Sequence, residues 1–106
     1  MVYMTATLTA SEIERKIVEV VTEIQRMTGH PCPVIDAQTC PLKDLVQFDS
    51  QLALLATVEL GARLSFEIPD DVNVFVDTEV NRPRRISQIR DEICAMLSPK
   101  VTTHGR

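Results

Sequence analysis

The chain has 106 residues, with 15 Asp plus Glu against 11 Lys plus Arg, 44% hydrophobic residues and no Trp. That length supports one small domain, and with Tyr3, Phe48, Phe66 and Phe75 as the only aromatics its core must be aliphatic. A net charge of −4 without interleaved aromatic and basic residues argues against nucleic-acid binding.

Residues 1–10 read as a flexible lead-in. The spacing of Ile13, Ile17, Val20, Val21, Ile24 and Met27 then predicts an amphipathic helix over residues 12–28. Ser11 is the expected cap with Glu14 completing a capping box, and Gly29 before Pro31 is the stop. Residues 30–48, with Pro31, Pro33 and Pro41 among Val34, Ile35, Leu42, Leu45 and Val46, predict a long irregular linker packed onto the body. A second helix is expected from Asp49 or Ser50 to about Ser65, with Leu54, Val58, Leu60 and Leu64 inward. Residues 72–76 alternate like a strand but are isolated, and are read as a loop with a short helical turn. A last helix is predicted over residues 86–97 from Ile86, Ile89, Ile93 and Met96 or Leu97, with Pro99 beyond it and a disordered tail over residues 98–106. The fold class is all-α, a small antiparallel bundle over residues 11–97.

The apolar run Leu52 to Ala56, which no other run exceeds, is far short of the roughly 20 residues a membrane-crossing helix needs. Met1 to Ala10 has neither the basic start nor the apolar stretch of a secretory signal, so a cytoplasmic protein without membrane insertion is expected. Cys32, Cys40 and Cys94 are an odd number at irregular spacing, which favours reduced thiols. His30, Cys32 and Cys40 lack the paired spacing of structural zinc, and no metal site is expected.

Catalytic raw material is sparse. His30 sits against Pro31, His104 is in the tail, and Gly29, Gly61 and Gly105 cannot form a phosphate-cradling loop. A non-catalytic protein is expected. Glu67, Asp70, Asp71, Asp77 and Glu79 form an acidic segment followed by Arg82, Arg84 and Arg85, a pattern that fits two solvated surfaces or, alternatively, a docking patch.

Asp49 and Ser50 stand where the linker becomes a helix. Residues of these types commonly cap helices, but a serine hydroxyl there is also exposed by position, beside the positive end of the helix dipole. Phe48-Asp49-Ser50-Gln51, the helix after it, and Phe66-Glu67-Ile68-Pro69-Asp70-Asp71 resemble the acyl carrier protein family, over about residues 13–97. In that family a D-S dipeptide opens the second helix and an I-P-D follows some nineteen residues on, as Ile68-Pro69-Asp70 does here. The resemblance implies a four-helix bundle with three longer helices, a short third helix and a long loop after the first.

It also implies a 4′-phosphopantetheine arm, taken from coenzyme A by a phosphopantetheinyl transferase and attached covalently to Ser50, with Asp49 as the acidic neighbour. The arm would carry an acyl or aminoacyl thioester between a ligase, synthase or transferase of a fatty-acid, polyketide or nonribosomal-peptide type of pathway. A monomer is expected, since a carrier must be accessible. The family pattern G-x-D-S-L is altered here by Gln47 and Gln51, and its usual acidic docking positions fall on Leu52, Leu55, Gly61 and Ala62, leaving Glu59 nearly alone. Core packing is the favoured role of Leu52 and Leu55. The sharper expectation makes Gln51, Leu52, Leu55, Glu59, Asp70 and Asp71 a partner-docking face. A carrier-like interaction module without the arm is the alternative.

Overall fold

In the computed structural model, which describes residues 8–69 and 71–97, the first helix is opened by Thr9. Thr9 Oγ1 accepts from the Glu12 amide at 3.1 Å, and the Glu12 carboxylate accepts from the Thr9 amide at 2.9 Å. This reciprocal box starts α1, Ala10–Met27, earlier than expected. Ser11 therefore lies inside the helix, and the expected Ser11 cap with Glu14 is corrected to Thr9 with Glu12. Gly29, at φ 78°, ends the helix as expected, with its amide donating to the Arg26 carbonyl at 3.0 Å.

Ile13, Ile17, Val20, Val21 and Ile24 are buried, but Met27 is exposed. Its inward assignment is corrected: the buried stripe ends on Gln25, whose amide Nε2 donates to the Pro31 carbonyl at 3.2 Å and the Val46 carbonyl at 2.6 Å. The linker is irregular except for a short helix, α2, Pro41–Asp44. Pro41 suits its first turn, and Asp44 Oδ2 accepts from the Cys40 amide at 2.8 Å. Ile35, Cys40, Leu45 and Phe48 fasten the linker to the core, while Val34 and Val46 are exposed.

The next helix, α3, spans Ser50–Leu64. Leu60 and Leu64 are buried as expected, whereas Leu54 and Val58 are exposed. The correction has a physical cause. The buried stripe is Ala53, Ala56, Thr57, Leu60, Gly61 and Leu64, mostly small side chains that let the helix lie close to its neighbours, and this turns Leu54 and Val58 outward. Thr57 fits there because its hydroxyl donates to the Ala53 carbonyl at 2.9 Å and accepts from the Val74 amide at 3.4 Å. Ser65, left-handed at φ 60°, closes the helix.

Residues 72–75 are the expected loop with one turn, the Val76 amide donating to the Asn73 carbonyl at 3.2 Å, but the turn leads into a strand and not into a helix. Val76–Asp77 is β1, paired antiparallel with β2, Arg82–Pro83, in the register Val76 opposite Pro83 and Asp77 opposite Arg82. So short a ladder is held by its surroundings. Val74 and Phe75 are fully buried, Asn73 Oδ1 accepts from the Phe75 amide at 2.9 Å, and the Phe75 carbonyl accepts from the Arg84 amide at 2.8 Å. No helix lies between α3 and the last helix among the described residues, so the short third helix is corrected to this hairpin.

The last helix, α4, is Ile86–Leu97, over the expected span, with Ile86, Ile89 and Ile93 buried. Its first turn is anchored to the linker, the Ile86 amide donating to the Thr39 carbonyl at 2.8 Å and the Ser87 amide to Ala37 at 3.0 Å. α1 packs against both α3 and α4. Among the described residues the fold is thus mostly helical, with one two-stranded sheet. Most of the expected lead-in and the expected tail lie outside the described residues, and no helix among the described residues is long and apolar enough to cross a membrane.

Candidate functional site

Asp49 adopts extended backbone angles (φ −102°, ψ −175°), and its Oδ1 accepts from the Leu52 amide at 3.0 Å while its carbonyl accepts from Ala53 at 2.9 Å. The carboxylate is therefore fixed as the cap of α3. Ser50, the first residue of the helix, is exposed, and its hydroxyl makes no hydrogen bond among the described residues.

The chain leading to Ser50 is held residue by residue. Val46 is tied to Gln25, and Phe48 is buried against Phe75 with ring centroids 5.7 Å apart and planes tilted by 47°. Gln47 between them takes the left-handed conformation, φ 62°, that glycine adopts without steric cost. Neither Gln25 nor Phe75 stood out in the sequence: a buried glutamine in an apolar stripe and an aromatic in a distant loop carry no local signal.

The residues expected for docking divide. Gln51 and Leu55 are exposed, Leu55 at 47%, and Leu54 and Val58 join them on the outer side of α3. Leu52 is half-buried against the core. Glu59 pairs with Arg63 Nε at 3.2 Å, and the Arg63 fork also grips both carboxylate oxygens of Glu23 on α1, one at 3.2 Å. That fork holds the Glu23 carboxyl below its ordinary value despite opposing desolvation. Glu59 and Arg63 are the only charged residues of α3, so its charges are engaged within the fold. Asp71 is exposed, and Asp70 lies outside the described residues.

No group of three or more His, Cys, Asp or Glu side chains able to hold a metal occurs among the described residues. His30 Nδ1 lies 2.8 Å from Thr28 Oγ1, Cys32 Sγ contacts the Pro33 carbonyl at 3.5 Å, and Cys40 is buried, which pushes its thiol upward. Cys32, Cys40 and Cys94 are not joined in disulfides.

Chemically, Ser50 offers a primary alcohol at the positive end of a helix dipole, a place that favours a negatively charged substituent. No base is hydrogen-bonded to it among the described residues. Compared with known protein families, with curated proteins and with solved structures, the chain matches none.

Proposed function

We propose that this chain is a discrete carrier protein bearing 4′-phosphopantetheine on Ser50. The observation that carries the reading is Ser50 itself: exposed, first in α3, beside a fixed Asp49 carboxylate, at the end of a segment held by Gln25 and Phe75. The left-handed backbone at Gln47 adds support, because the resembled family commonly has glycine there and glycine takes this conformation freely.

A phosphopantetheinyl transferase would form a bond between Ser50 Oγ and the phosphate of the arm, breaking the phosphoanhydride of coenzyme A, with adenosine 3′,5′-bisphosphate leaving and the serine proton passing to a base of the transferase. The arm's terminal thiol would hold an acyl or aminoacyl thioester, and the protein would present it to a ligase, synthase or transferase at high effective concentration. The chain supplies no catalytic group in this reading and works as a cytoplasmic monomer.

The exposed Gln51, in place of the family's usual leucine, and the apolar Leu54, Leu55 and Val58 favour a second reading, a carrier-like interaction module without the arm. Intact mass before and after incubation with coenzyme A, magnesium and a broad-specificity transferase separates the two. A gain of one phosphopantetheine, lost in Ser50→Ala, is expected of a carrier. Unmodified protein recovered from its own source supports the module.

A further inference from the structure

A groove of about 780 Å³ runs between α2, the β1–β2 hairpin and the start of α4. Lys43 from α2, Arg82 from β2 and Arg85 just before α4 all line it, and all three are exposed without an ion pair among the described residues. Their convergence is fixed by the fold, since the linker and α4 are joined through Thr39–Ile86 and Ala37–Ser87, and the hairpin is joined to the segment before α4 through Phe75–Arg84.

The groove's carboxylates are largely committed. Asp91 is held by Arg90 at 2.9 Å, and Glu92 by Arg84 at 3.5 Å. Arg84 also donates to the Val74 carbonyl at 3.1 Å. That leaves three unpaired cations against Asp77, one of whose oxygens accepts from the Glu79 amide at 3.1 Å. In a chain of net charge −4, this is a local reversal of sign inside a concavity of ligand size.

We infer that this groove binds a small anion of the phosphate class carrying two or more charges. One monovalent ion would leave two of the three cations unmatched, whereas linked phosphates present oxygens to the Arg forks and the lysine together. The site is separate from Ser50 and does not depend on its modification.

The test is a titration of the whole chain with inorganic pyrophosphate at about 0.1 M salt, followed through backbone amide resonances. Saturable one-to-one binding is expected, with shifts concentrated at Lys43, Val80 and residues 82–88. Lys43→Glu and Arg85→Glu should each weaken it about tenfold or more. Arg26→Glu, an exposed cation on α1 outside the groove, should not. If either glutamate variant loses its helical circular dichroism, Lys43→Gln and Arg85→Gln replace them. Shifts scattered over Arg15, Lys16 and Arg26, a titration that never saturates, or groove variants that bind like the unaltered chain would overturn the inference. Ser50→Ala should bind pyrophosphate normally, so failure of the groove and failure of the carrier reading register in different measurements.

Discussion

Gln25 Nε2 lies 2.6 Å from the Val46 carbonyl oxygen, and the same amide nitrogen reaches the Pro31 carbonyl at 3.2 Å. One side chain on α1 thereby fastens both ends of the linker, the stretch leaving α1 and the stretch approaching Ser50. Gln25→Leu should lower stability by about 1–2 kcal/mol, because two partly buried carbonyls lose their donor, while removal of the buried Gln25 Oε1, which has no partner among the described residues, offsets part of that cost. Urea denaturation measures this, and a loss below about 0.5 kcal/mol would remove the clamp from the account.

Gln47→Gly should stabilise the fold by up to about 1 kcal/mol. A left-handed non-glycine residue costs on the order of 1–3 kcal/mol, part of which glycine returns through its freer unfolded chain. Gln47→Val, branched at Cβ, should act in the opposite direction in the same unfolding measurement.

Gly61→Ala should destabilise, although alanine is the better helix former. A Cβ at Gly61 would stand 2.9 Å from the Phe66 carbonyl oxygen, and that oxygen belongs to backbone closing the helix end. Overpacking of this kind costs about 1–3 kcal/mol, which outweighs about 1 kcal/mol of propensity. A raised thermal midpoint in Gly61→Ala would contradict the close approach.

Leu52→Glu and Leu55→Glu should behave differently despite their proximity. Leu52 packs against the core, so a carboxylate there should cost several kcal/mol, while Leu55→Glu should stay within about 0.5 kcal/mol of the original chain. If the outer side of α3 docks a partner, Leu55→Glu weakens that complex and leaves unfolding unchanged.

Glu23 sets part of the acid limb of stability. Its carboxyl is held below the ordinary 4.5 by the Arg63 fork, so the folded chain binds the proton less readily than the unfolded chain. The contribution is complete above the unfolded value and is lost as pH falls through the lower folded value. Glu23→Gln should therefore flatten the decline below about pH 4.5 relative to the original chain. Identical acid limbs for the two chains would show that the pair contributes nothing.

The three long helices were legible because isoleucines and valines recur at helical spacing in α1 and α4, and because Gly29 and the Asp49-Ser50 step carry clear stop and start signals. The inward face of α3 was not. Its leucines are distributed nearly all round, and close contact selected the alanines and Gly61 for burial, a choice made by neighbouring elements. The hairpin was illegible for a related reason: Asn73, Phe75 and Arg84 hold it from outside a two-residue ladder. Thr9 displaced Ser11 because both can cap, and only the backbone decides which is extended. At the candidate site, Ser50 and Asp49 could be read from the sequence, whereas their support by Gln25 and Phe75 is purely tertiary.

The backbone bonds from Ile86 to Thr39 and from Ser87 to Ala37 have a consequence for the order of events during synthesis. The linker ahead of Ser50 emerges from the ribosome early, yet its two carbonyl acceptors receive their donors only when the last helix has been made. Until then Ala37 and Thr39 face water, and Phe48 also waits for Phe75. The linker is therefore closed in two stages, its 37–39 stretch by the start of α4 and Phe48, two residues before Ser50, by Phe75.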